Sequence, residues 1–136
     1  MLSISRILVN RIIQQAQEQL PIECCGILAG TVDSDTTKIT EVYPMTNVDR
    51  SPEHFSLDPR EQFDVYYSIR DKELKMLGNY HSHPSTPARP SLEDIRLAYD
   101  TEAIYVIVSL LEQPPVLKGF RIQMGQYTEI PLVIND

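Results

Sequence analysis

Apolar positions along the chain follow two rhythms, and the switches between them predict the elements. Across residues 2–20, Ile4, Ile7, Leu8, Ile12 and Ala16 recur at roughly helical spacing. Ser3 or Ser5 can cap that helix and Pro21 lies just past its end. Residues 23–31 form a nearly continuous apolar run ending near Gly30, which reads as a buried strand. A polar turn at 33–36 leads to residues 38–45, which alternate as a partner strand. Residues 46–53 are polar and hold a proline, so they read as a loop, and 54–57 reads as a short strand. Asp58 as N-cap, Pro59 at the first position and Glu61 completing a capping box predict a helix running to about residue 74. Residues 76–83 form the next strand, cut off by Pro84, and a loop with Pro84, Pro87 and Pro90 follows. Residues 91–99 read as a short helix and the β-branched run 103–111 as a central strand. After Pro114-Pro115, residues 116–124 and 127–133 read as closing strands around Gly125. The order α-β-β-α-β-α-β-β-β predicts an α/β fold, a mixed sheet with flanking helices, in a single domain over residues 1–136.

Composition narrows the function classes. A length of 136 residues with 42% hydrophobic side chains suits one core of ordinary size. No apolar run reaches the roughly 18 residues of a membrane span, and the N-terminal segment lacks the unbroken apolar stretch of a secretory signal. The expectation is a soluble, cytoplasmic protein with no membrane partner. Twelve basic and nineteen acidic residues give a net charge of −7, and the basic ones are scattered. Nucleic acid is therefore not expected as a partner, because phosphate binding needs local positive charge. Cys24 and Cys25 are adjacent, a poor arrangement for a disulfide, and no CxxC pair is present to hold a structural zinc. They read as small buried strand residues, with a thiol near an active site as the alternative.

Candidate chemistry concentrates in His81-Ser82-His83-Pro84, six residues, Ser91, two residues, Asp94. Side chains two apart on a strand share a face, so both imidazoles can reach one point. Asp94, in the first turn of the following helix, can bring its carboxylate back to them. Two imidazoles and one carboxylate leave a fourth tetrahedral position open, the pattern of a catalytic zinc with an activated water. Such a water needs a carboxylate beside it but off the metal, and Glu23, at the head of an apolar strand, is the best candidate acid/base. Ser91 could offer its hydroxyl to the oxyanion of a tetrahedral intermediate. Each residue has a plainer reading when taken alone. Ser91 and Asp94 can be a simple capping box, a histidine pair on a strand can be structural, and Glu23 can face solvent. The joint pattern of five residues arises by chance on the order of once in 100,000 chains of this size.

That pattern, with Glu23 upstream, resembles the JAMM motif of the JAB1/MPN/Mov34 metalloenzymes, with no position missing. Glu23-Cys24-Cys25-Gly26-Ile27-Leu28-Ala29-Gly30 is similar to a segment common in the compact bacterial members. Asn47 and Phe55-Ser56-Leu57-Asp58-Pro59 are similar to their region before the second helix. The resemblance covers nearly the whole chain. It implies one Zn2+ per chain on His81, His83 and Asp94, with Glu23 as general acid/base and Ser91 supporting the oxyanion. It also implies an α/β sandwich like that of the cytidine deaminases, and a peptidase or isopeptidase acting at the C-terminus of a ubiquitin-like protein. For the compact members that partner is a β-grasp sulfur carrier, whose tail could add as a strand along residues 47–57. Only Gln113-Pro114-Pro115 separates two late strands, which leaves little room for the insertions that give linkage-specific deubiquitination. His54, in the 47–57 segment, reads as a surface or structural residue. Two rival readings stand beside this one. An inactive scaffold of the same fold has no reason to keep an open site, and a zinc deaminase would need H-x-E and P-C-x-x-C, which are absent.

Overall fold

In the computed structural model, which describes residues 1–136, the chain begins with a strand and not with a helix. β1 (Leu2–Ser5) precedes α1 (Arg6–Glu18), so the segment 2–20 expected as one helix divides at Ser5. Leu2 and Ile4 alternate with Ser3 and Ser5, a period of two that overlaps the helical spacing of the residues after it. Ser5 is extended, and its Oγ accepts the Leu8 N–H at 3.2 Å, which caps α1. β2 (Cys25–Asp33) and β3 (Thr36–Met45) form the expected hairpin. α2 (Pro59–Asp71) starts at its Asp58 cap, whose side chain accepts the Arg60 N–H at 2.9 Å. Glu61 does not complete a capping box. Its carboxylate instead takes the Thr46 N–H at 2.8 Å and the Thr46 hydroxyl at 2.7 Å, tying α2 to the end of β3.

β4 (Lys75–His83), α3 (Leu92–Arg96), β5 (Ile104–Ser109) and β6 (Val116–Gln123) follow, and α3 stops short of the expected Tyr99. Tyr99 is 87% exposed, so nothing packs there to extend the helix. The segment 54–57 is not a strand; its pairing is a single bridge between Asn47 and Leu57. The expected last strand is two strands, β7 (Gln126–Ile130) and β8 (Leu132–Asn135), parted at Pro131. Proline has no N–H for a ladder, which allows the chain to change neighbours there.

That change closes the molecule. The eight strands run β7-β6-β5-β4-β2-β3-β1-β8, so β7 and β8 occupy opposite edges although one residue separates them. Ile130 and Leu132 stand within about 7 Å along the chain, so the sheet must curl until its edges meet. Leu2 on β1 accordingly reaches Gly119 on β6, where an added Cβ would lie 3.0 Å from its Cδ2. The concave side wraps α1, whose Leu8, Val9, Ile12 and Ala16 pack with Leu2, Ile4, Leu28, Tyr80, Val106 and Val108 in the main core. Tyr80 lies across Gly26, the one residue type that fits, since a Cβ there would be 2.3 Å from the ring. Its hydroxyl meets Gln15 Oε1 at 2.5 Å, and Gln15 Nε2 donates to the Cys25 carbonyl at 2.9 Å, locking α1 to β2 and β4. The convex side carries α2 over a smaller core of Cys25, Ile27, Ala29, Met45 and Ile69. No helix is long and apolar enough to cross a membrane.

Candidate metal centre

Strand alternation decides what β4 shows to each side. Tyr80 belongs to the concave core and Ser82 stays there too, its Oγ accepting the Cys24 N–H at 2.7 Å. Asn79, His81 and His83 therefore point to the convex side. His81 and His83 are 2% and 4% exposed. Asp94, in the first turn of α3, completes the group. His81 Nε2, His83 Nε2 and Asp94 Oδ2 form a triangle with all three sides 3.1 Å. Ligands about 2.0 Å from a tetrahedral zinc stand roughly 3.3 Å apart, so the triangle has the size of a three-ligand face.

Hydrogen bonding to the far side of the rings supports that fit. His83 Nδ1 lies 2.8 Å from the Pro87 carbonyl, which can only accept, so Nδ1 carries the proton. A neutral His83 then has its lone pair on Nε2, 3.1 Å from a carboxylate oxygen, an arrangement that a cation between them would make attractive. His81 is held differently. Its Nδ1 is buried without a partner, and the Phe55 ring stacks on the imidazole at 4.7 Å and 26°. One histidine is fixed by a hydrogen bond and the other by packing.

Asp94 uses one oxygen for two tasks. Oδ2 faces both histidines and also accepts the Ser91 N–H at 2.9 Å, while Ser91 Oγ accepts the Asp94 N–H at 3.0 Å. The capping box and the convergence on the histidines thus coexist in the same side chains. Burial raises the Asp94 carboxyl, but in the metal-free protein imidazoles protonated at Nε2 donate to it from His81 and His83, and these bonds, the His81 charge and the Ser91 N–H outweigh the burial. The net effect holds the group well below the ordinary carboxylate range.

Glu23 sits two residues ahead of β2, not inside it, and is 3% exposed with Oε1 unpartnered. Burial first, then the carboxylates of Asp94, Glu93 and Glu53, push its carboxyl up to about 9. Its backbone is pinned on both sides, the N–H to the Ser51 carbonyl at 2.9 Å and the carbonyl to Asn47 Nδ2 at 3.1 Å. Asn47, 3% exposed, also donates to the His54 carbonyl and accepts the N–H groups of Asp49 and Ser56. One buried amide therefore organises the loop that carries Phe55. His54 pairs with Asp49 Oδ2 at 3.0 Å and is partly exposed. Cys24 and Cys25 are free and buried, and burial pushes their thiols up to about 11 and about 12. Burial and a held proton favour the plain reading of both as small buried residues.

A cleft of about 310 Å3 opens from His81 and Asp94, floored by Asn79, Tyr105, Ile107 and Ile122 and walled by residues 54–57 and α3. The sequence pattern joins His81, His83 and Asp94, as the structure does, and it leaves out the Pro87 carbonyl, the stacking role of Phe55, and Asn79. The Pro87 carbonyl carries no sequence signal. Phe55 was visible only as a resemblance. Asn79 had a signal that went unread, a polar residue two before His81 and so on the same face of an otherwise apolar strand.

The family model described as prokaryotic homologs of the JAB domain matches residues 5–123. The CysO-cysteine peptidase of Mycobacterium tuberculosis is 38% identical over 130 residues, covering 95% of this chain and 88% of the relative. The desampylase of Haloferax volcanii is 37% identical over 90 residues, covering 65% of this chain and 63% of the relative. A solution structure from Desulfitobacterium hafniense superposes with a TM-score of 0.92 at 44% identity, covering 100% of this chain and 94% of that one. A match over most of the length, together with the curled mixed sheet and its convex His-His-Asp cluster, settles the family. This chain belongs to the prokaryotic JAB family.

Proposed function

We propose that this chain is a zinc metallopeptidase that hydrolyses the amide bond joining a ubiquitin-like sulfur carrier's C-terminus to the group attached there. The observation that carries the metal reading is the 3.1 Å triangle with His83 Nε2 presented as a lone pair. The substrate class follows from relatives whose names state a CysO-cysteine peptidase and a desampylase. His81, His83 and Asp94 would hold one zinc ion, which supplies Lewis-acid polarisation of water and carbonyl when bound. Glu23, whose carboxyl stands near 9 without a cation and would fall beside one, would take the proton of the attacking water and pass it to the leaving amine. Its buried, unpartnered Oε1 suits that exchange, because no fixed partner competes for the proton. Ser91 Oγ accepts one hydrogen bond from Asp94 N–H, which leaves its own hydroxyl proton free for a developing oxyanion. The tail would approach along residues 47–57, the segment that also holds Phe55 against His81.

Metal analysis of protein purified without chelators tests the site. About one zinc per chain is expected, lost in His81→Ala and in Asp94→Ala. A parent protein free of bound metal under those conditions overturns the reading. Glu23→Gln should keep the zinc and lower turnover by roughly 100- to 10,000-fold, since it removes proton transfer and no ligand.

A further inference from the structure

The cleft beside the metal triangle holds a polar group that nothing in the free protein satisfies. Asn79 lines a cavity whose other wall residues are apolar and polar in about equal number, and its Oδ1 is buried with no hydrogen-bond partner in the free protein. A buried acceptor left unpaired costs about 1–3 kcal/mol, a cost that turning the carboxamide toward the cleft to meet a donor there would relieve. Position identifies that partner's chemistry. Asn79 pairs in register with Ile27 on β2 and Tyr105 on β5, and no bulge separates it from His81. Its side chain therefore rises from the same face as the ligand, two residues or about 7 Å along the strand.

We infer that the Asn79 carboxamide is a substrate-anchoring group, accepting a main-chain N–H of the carrier's extended tail about two residues upstream of the scissile bond. This rests on the proposed peptidase reading. An extended chain covers about 7 Å in two residues, the same interval that separates Asn79 from His81. An extended tail that adds as a strand is held through its main-chain groups. A carboxamide can match one peptide unit, its oxygen to the N–H and its amino group to a carbonyl. The walls of the cleft formed by Phe55, Leu57 and Leu97 exclude water from that bond, which makes a missing partner more costly and an added one more selective.

The test uses zinc-loaded full-length protein and a synthetic peptide whose Gly-Gly end is joined by an amide to cysteine. Asn79→Leu keeps the volume without the acceptor, and Asn79→Ala removes both. Each should raise KM about 5- to 20-fold with kcat and zinc content nearly unchanged. Asn79→Leu should also melt at or above the parent's temperature, because it removes an unsatisfied buried group; a merely structural asparagine would lower it. An unchanged KM in either variant overturns the inference, and so does a KM rise in the leucine variant alone, which would mark a steric effect. Zinc loss accompanying the KM rise overturns it as well. If the parent does not cleave the peptide at all, the peptidase reading itself falls, and this inference with it.

Discussion

The two sides of the curled sheet are built for different work. The concave side holds α1 in a continuous apolar core, and the polar groups that enter it are paired. Tyr80 meets Gln15, and Ser82 Oγ takes the Cys24 N–H. The convex side has a smaller core under α2 and carries every buried side-chain atom that lacks a partner: Glu23 Oε1, Asn79 Oδ1 and His81 Nδ1. From Gly78 to His83, β4 serves both sides at once, its odd positions facing the site and its even positions the core. Stability is concentrated on one side, and the other side can then hold groups whose partners arrive from solution.

The sharpest way to break that comparison is to weaken the concave side. Ile12 is fully buried on α1, and Ile12→Ala should cost about 2–5 kcal/mol in chemical denaturation. Below the melting range, zinc content and KM should stay at the parent's values. A large KM change at equal folded fraction would show that the two sides are not separable in this way.

Glu23 sharpens the comparison from the other direction. Its folded carboxyl stands near 9 against an ordinary value of 4.5. Below about pH 4.5 both folded and unfolded chains hold the proton, and Glu23 costs nothing. Between 4.5 and 9 the unfolded chain ionises while the folded one does not, so stability falls as pH rises through that window. Metal-free Glu23→Gln should therefore match the parent near pH 4 and exceed it by up to about 5 kcal/mol near pH 8. Added zinc should narrow the gap, since a cation beside Asp94 opposes the repulsion that raises Glu23. Equal stabilities at pH 8 in the metal-free proteins would place Glu23 in a solvated setting.

Legibility differed between the two sides for a physical reason. The convex His-His-Asp cluster could be read because a period of two, a terminating proline and a helix cap fix where three side chains point. The curl could not. It depends on Pro131 sending β8 to the far edge beside β1, a non-local pairing that leaves no local pattern. The first strand was hidden because Leu2 and Ile4 fit a helical stripe as well as an alternating one. The supports of the histidines were hidden for a third reason. A backbone carbonyl such as that of Pro87 has no residue type, and Glu61 had two available acts, capping its own helix or gripping Thr46.

Ser91 offers the smallest effect and the finest division. Its Oγ caps α3, and its backbone N–H supports the Asp94 oxygen that faces the histidines. Ser91→Ala removes the first contact and keeps the second, so the helix should lose about 1 kcal/mol while the backbone bond to Asp94 remains. Zinc content should hold. Turnover should drop with little change in KM if the hydroxyl meets charge that develops only in the transition state. Ser91→Thr keeps a capping hydroxyl and should recover the stability and part of the turnover. If threonine restores stability and turnover does not move in either variant, Ser91 is a cap alone, and the oxyanion must draw its support from the metal side of the site.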